Sequence, residues 1–145
     1  MRQFRTKKLV LEKICHYFTD FSKECGGVIS LIGDIIVDFY PLDNIATGNG
    51  EFSFSFDRLN EINNIMEKNN QSLGGIIHSH ASGINGSGIN KPSKNDLEFY
   101  KNFMNANPIF DELLFPIVCL LNNQIDIKWY IYQDNKLNEI EMAII

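Results

Sequence analysis

The chain has 145 residues, 44% hydrophobic and 21% charged, with a formal net charge of −5. That length and composition suit one globular domain, residues 1–145, with a true hydrophobic core, and exclude a chain disordered throughout. The acidic balance and the lack of a basic block argue against broad binding to a nucleic-acid backbone, and no apolar run approaches the roughly 20 residues of a membrane span.

The segment Met1 to Lys8 carries Arg2, Arg5, Lys7 and Lys8 but no apolar stretch of the signal-peptide kind. The three cysteines, Cys15, Cys25 and Cys119, are widely spaced and form neither a CxxC pair nor a disulfide framework. Reduced thiols in a cytoplasm are therefore expected.

In chain order, Val10, Ile14, Phe18 and Phe21 recur at helical spacing, which predicts a helix over Thr6 to Phe21. Gly26-Gly27 opens an apolar strand, Val28 to Ile32. Gly33-Asp34 reads as a turn into a returning strand, Ile35 to Leu42. After a loop at Thr47 to Gly50, the alternation of Phe52, Phe54 and Phe56 with Ser53 and Ser55 predicts a strand over Glu51 to Phe56. Asp57 reads as the cap of a helix to about Asn69, with Leu59, Ile62, Ile65 and Met66 as its apolar stripe.

Leu73 to His80 reads as a strand, and Ala81 to Lys91 as a glycine-rich loop. Ser93 is a natural N-cap for a helix to about Asn105. Leu113 to Leu121 and Asp126 to Gln133 flank Asn122-Asn123 as a hairpin, and Lys136 to Ile145 supplies a last strand. The order α-β-β-β-α-β-α-β-β predicts an α+β domain with a mixed, largely antiparallel sheet flanked by helices.

Three fragments carry chemistry. In His78-Ser79-His80 the two imidazoles point to the same face of a strand and can form two legs of a metal site. Asp96, in Pro92-Ser93-Lys94-Asn95-Asp96, sits in the first turn of the next helix and can return to them. Two imidazoles and a carboxylate suit zinc, with a fourth position left for water. Taken alone, Ser-x-x-Asp reads as a helix cap, a role compatible with fixing where Asp96 points. Glu24 precedes Gly26-Gly27 and could serve as the proton-carrying base that a metal hydrolase needs. The two glycines allow backbone to pass close by.

Glu24 … His78-x-His80 … Ser93-x-x-Asp96 resembles the signature of the JAMM metalloproteases, also called the MPN+ or JAB domain family, and is closest in style to the small stand-alone prokaryotic JAB proteins. Glu-Cys-Gly-Gly, Gly74-Gly75-Ile-Ile-His-Ser-His and Pro-Ser-x-x-Asp fall in the family's order over most of the chain. The sequence differs in having Ala81 where the family usually has proline, and in a longer loop between His80 and Ser93.

The resemblance implies an MPN/JAB-like, cytidine-deaminase-like fold. It implies Zn2+ on His78, His80 and Asp96, with Glu24 as general acid/base and Ser93 donating a hydrogen bond to the oxyanion. It also implies isopeptidase or peptidase action, deubiquitinase-like, after the C-terminal glycine of a ubiquitin-like protein or its conjugate, including in bacterial conjugation or antiphage defence pathways. Ala81, Ser82 and Gly83 are then candidates for contact with the substrate tail. A zinc hydrolase of other peptides or small molecules and a metal-free MPN scaffold stay open beside this reading. Cys25 is expected on the opposite face from Glu24, His16 as a plain surface or packing residue, and Phe52, Phe54, Phe56 and Trp129 in the core or on sheet faces.

Overall fold

The structure is a computed structural model that describes residues 2–47, 51–82 and 89–145. It builds a nine-stranded mixed sheet from β1 (Arg5–Thr6), β2 (Gly26–Ile32), β3 (Ile35–Leu42), β4 (Ser72–Ser79), β5 (Glu112–Leu114), β6 (Ile117–Leu121), β7 (Gln124–Gln133), β8 (Lys136–Ile140) and β9 (Ala143–Ile144). The helices are α1 (Lys8–Tyr17), α2 (Phe56–Lys68) and α3 (Lys94–Ala106). The long pairings β2–β3, β2–β4, β6–β7 and β7–β8 are antiparallel. Short parallel pairings join β1 to β3 and β9, and β4 to β5 and β6. The α+β class and the largely antiparallel sheet are thus as expected from the sequence.

Period-2 alternation sorts the strand residues between two cores. Ile29, Phe39 and Ile77 pack with Val10, Ile14 and Phe18 of α1 and its exit. Val28, Ile76 and Phe115 pack with Leu59, Ile62 and Met66 of α2 and with Tyr100 and Phe103 of α3. Helices therefore cover both faces of the sheet, which is why β2 and β4 read as largely apolar runs rather than alternating ones. β4 lies inside the sheet, between β2 on one side and β5 and β6 on the other. His78, two residues beyond Ile76, shares the face that α2 and α3 cover.

Gly75 is where β4 meets β5, paired with Leu114. A Cβ there would lie 1.8 Å from the Leu114 carbonyl oxygen and 2.6 Å from its carbon. These are backbone atoms and cannot swing aside. Gly75→Ala is expected to destabilise the protein by at least the ~1–3 kcal/mol typical of overpacking. A wild-type denaturant midpoint for the variant would contradict this.

Five elements depart from the sequence expectation. Residues 51–55 form no strand; the alternation reflects an extended segment that turns Phe54 into the core while Phe56 stays exposed. The cap of α2 is Ser55, whose Oγ accepts from the Arg58 N–H at 3.3 Å, not Asp57, which falls in the first turn. The first helix is shorter than Thr6 to Phe21. Thr6 is taken by β1, and Phe18 and Phe21 stay buried after the helix has ended. Leu113 to Leu121 divides into β5 and β6 around Pro116, which has no N–H to give a ladder. The last segment divides into β8 and β9, and β9 joins the far edge beside β1. Among the described residues no helix is long and apolar enough to cross a membrane.

Candidate metal centre and active site

His78 and His80 stand at the C-terminal end of β4. The backbone runs on in extended form past the strand's last residue, because the His80 N–H donates to the Val118 carbonyl at 2.9 Å. This keeps the two imidazoles on one side, with ring centroids 4.9 Å apart. Both are shielded from solvent, with His78 4% and His80 9% exposed.

The third member comes from α3. Ser93 caps this helix through a complete capping box: its Oγ accepts from the Asp96 N–H at 3.0 Å, and Asp96 Oδ2 accepts from the Ser93 N–H at 2.8 Å. The carboxylate is thereby turned back over the helix start. Asp96 Oδ1 lies 3.2 Å from His78 Nε2, and Oδ2 lies 2.9 Å from His80 Nε2. One ligand atom from each of His78, His80 and Asp96 falls within 4.8 Å of the others.

Several features fit this trio to a cation. His78 Nε2 is buried and, among the described residues, makes no hydrogen bond of acceptable geometry, although Asp96 is near. An orphaned imidazole nitrogen inside a protein is costly unless something fills the space before it. The ring of His80 is oriented from behind by the Ile89 carbonyl, 2.7 Å from Nδ1. A proton on Nδ1 leaves the Nε2 lone pair facing Asp96, the arrangement a metal-ligating histidine uses.

In the metal-free protein, burial disfavours the charged form of His80. The hydrogen bonds to Asp96 and to the Ile89 carbonyl outweigh that and raise its pKa. Burial likewise pushes Asp96 up, but the neighbouring His78 and His80 imidazoles, and the Ser93 N–H, hold it well below the ordinary carboxylate range. A proton between these groups and a metal cation are alternatives, since ligation requires the deprotonated nitrogens. Two nitrogens and one oxygen at this spacing match the donor set zinc prefers.

Glu24 lies two residues before β2, with its carboxylate Oε1 4.0 Å from His78 Nε2. It is 8% exposed. Burial pushes its carboxyl up from the ordinary value, more than the nearby His78 and His80 pull it down. A carboxyl held close to donor-bearing groups without being one of the trio is suited to carrying a proton.

Glu24, His78, Ser93 and Asp96 open onto one cavity of about 190 Å³, lined as well by Phe52, Ile76, Phe99 and Tyr100. The hydroxyl oxygen of Ser93 is used as a cap acceptor, which leaves its O–H free to donate. Five residues far apart in sequence are thus brought to one place: Glu24, His78, His80, Ser93 and Asp96.

The other candidates fall elsewhere. Ala81 and Ser82 do not line this cavity. Ser82 turns away to the Phe21 carbonyl, to which its N–H donates at 2.8 Å. Gly83 lies outside the described residues, as do 84–88 of the loop. Cys25 packs toward the α1 core, opposite Glu24 as expected, and His16 is exposed on α1.

The sequence reading missed the aromatic wall. Phe52 lies parallel to His78 with centroids 6.0 Å apart, close over Gly26, where a Cβ would fall 2.3 Å from the Phe52 ring. Tyr100 is 1% exposed, stacks on Phe115 at 4.2 Å, and has a hydroxyl without a hydrogen-bond partner among the described residues. Helical spacing could have indicated Tyr100, four residues after Asp96 and so on the same helix face. No such signal marks Phe52, whose alternating pattern points to a sheet.

No known family profile matches the sequence, and no curated protein matches it. Solved structures do. A Desulfitobacterium hafniense protein known from its solution structure aligns with a TM-score of 0.76 and 19% identity, over 99% of this chain and 93% of that one. A JAB1/MPN domain protein from Archaeoglobus fulgidus aligns with a TM-score of 0.48 and 15% identity, over 100% of this chain and 99% of that one. A structure presenting JAMM as a metalloprotease-like zinc site in the proteasome and signalosome aligns with a TM-score of 0.49 and 15% identity, over 99% of each chain. The first of these establishes a shared fold and no more.

Proposed function

We propose that this protein is a JAMM-type zinc hydrolase that cleaves after the C-terminal glycine of a ubiquitin-like protein. One observation carries the reading. The His78, His80 and Asp96 ligand atoms lie within 4.8 Å of one another, and the Glu24 carboxylate, outside that trio, is 4.0 Å from His78 Nε2. A capping box alone would account for Asp96, and a strand end alone for the histidines. Neither accounts for all four side chains gathered at one place, in the order of the JAMM signature.

His78, His80 and Asp96 would hold the zinc. When bound there it supplies Lewis-acid chemistry, polarising a carbonyl and acidifying water. Glu24 would take a proton from the water that attacks the scissile carbonyl and hand it to the departing amine as the carbon–nitrogen bond breaks, leaving a carboxylate. Ser93 donates its O–H to the oxygen that gains charge, already placed by the helix cap. Phe52, Ile76 and Phe99 limit water around the reacting group. The cavity, about 190 Å³, has room for a narrow backbone, which favours glycine beside the scissile bond.

The test is cleavage of a ubiquitin-like protein fused through its terminal glycine to a reporter. Release of the reporter by zinc-loaded protein, abolished by chelation, is expected. Inactivity on every such fusion together with cleavage of unrelated short peptides would overturn the substrate reading and leave the zinc hydrolase.

A further inference from the structure

Asn44 lies beyond the end of β3, in a segment without regular structure. Its side-chain amide is fully used. Nδ2 donates to the Glu24 carbonyl at 2.9 Å and to the Glu51 carbonyl at 2.8 Å. Oδ1 accepts from the Ala46 N–H at 2.9 Å and from the Ser53 N–H at 3.1 Å. Two donors and two acceptors exhaust what a primary amide can offer. The partners also fix its orientation, since reversal would face carbonyls with oxygen and N–H groups with nitrogen.

The placement of these bonds is informative. Cys25 is held to β4 on both sides, by Cys25 N–H to Ser79 Oγ at 2.9 Å and Ser79 N–H to the Cys25 carbonyl at 2.8 Å. Glu24 stands one residue outside that anchor, and its carbonyl is received by Asn44. Glu51 and Ser53, also tied to Asn44, flank Phe52, and all three residues line the metal cavity. One side chain therefore spans the two backbone segments that carry Glu24 and the Phe52 wall.

We infer that Asn44 is the positioning residue that sets the Glu24 carboxylate over the metal site and holds the Phe52 segment against it. This rests on the reading of Glu24 as the proton carrier. Among the described residues none of Asn44's side-chain hydrogen bonds goes to His78, His80 or Asp96, and Asn44 does not line the cavity, so it acts through the Glu24 and Phe52 segments. Its acceptor half, the turn to Ala46 and the bond to Ser53, organises its own segment. Its donor half ties that segment to Glu24 and also holds the Glu51 carbonyl. Asn44→Asp retains the acceptors and removes the donors; Asn44→Ala removes both.

The experiment has a structural arm and a kinetic arm, on the full chain. In metal-free protein, Asn44→Ala is expected to speed amide hydrogen exchange at Ala46 and Ser53 by at least about tenfold and to move the Glu24 side-chain carbon resonances. Asn44→Asp should move the Glu24 resonances while protecting Ala46 and Ser53 better than Asn44→Ala. Unmoved Glu24 resonances in both variants overturn the inference, whatever the wild type cleaves.

In the zinc-loaded protein, both variants should keep wild-type zinc content. Their kcat should fall between tenfold and about a hundredfold, the scale of a displaced catalytic group. Asn44→Ala should cost clearly less in the Glu24→Gln background than in wild type, because the part of its action that runs through Glu24 has nothing left to position. Losses that multiply in the double variant overturn the inference. A wild type that cleaves nothing, with the structural arm positive, counts against the hydrolase reading and leaves the Asn44 clamp in place.

Discussion

Glu24→Gln is expected to retain zinc and lose cleavage. The amide has the size and hydrogen-bonding reach of the carboxylate but cannot take up and release a proton. General acid–base groups contribute about 10²- to 10⁴-fold, so kcat should fall by at least about a hundredfold, close to 3 kcal/mol of transition-state stabilisation. The fold should tolerate the change. Glu24 is buried and its carboxyl is pushed up by that burial, so a neutral side chain removes a desolvation penalty rather than adding one. The check is metal content, unfolding midpoint and kcat on the same preparation. Wild-type turnover would exclude Glu24 as the base while leaving the metal site untouched.

A comparably large effect is expected at Asp96, on metal instead of chemistry. Its carboxylate serves both imidazoles and the Ser93 N–H. Asp96→Ala removes a ligand and half of the capping box. Zinc affinity should fall by more than the 10- to 100-fold typical of losing an outer-shell partner, and stability by about 1 kcal/mol. Asp96→Asn separates the two roles, because its amide oxygen can still receive the Ser93 N–H but carries no charge. That variant should melt near wild type and still bind zinc weakly. Wild-type affinity in Asp96→Asn, measured by competition with a chromogenic chelator, would remove Asp96 from the ligand set.

The grouping of His78, His80 and Asp96 was legible in the sequence because each fragment obeys a local rule. Two residues apart on a strand share a face, which placed His78 beside His80. The cap pattern fixed the start of α3, which fixed Asp96. Glu24 was legible only by resemblance, since nothing in Lys-Glu-Cys-Gly-Gly predicts which tertiary neighbour it meets. The strands β2, β3 and β4 were readable from their apolar runs and flanking glycines. The extended segment 51–55 was not, because Phe52 and Phe54 satisfy period-2 alternation by packing on His78, Phe99 and each other without a sheet partner. Asn44 carried no signal at all. An asparagine after a strand is an ordinary turn residue, and its four bonds join segments up to 20 residues apart in sequence. Elements set by neighbours on the chain could be read; walls assembled from distant loops could not.

Zinc content measured by elemental analysis on the full chain, after saturation with zinc and dialysis against metal-free buffer, bears most directly on the metal centre. The expected result is one zinc per wild-type chain and little or none in His78→Ala of the same folded content. A wild-type chain that retains no zinc, or a His78→Ala variant that retains as much as wild type, would contradict the account.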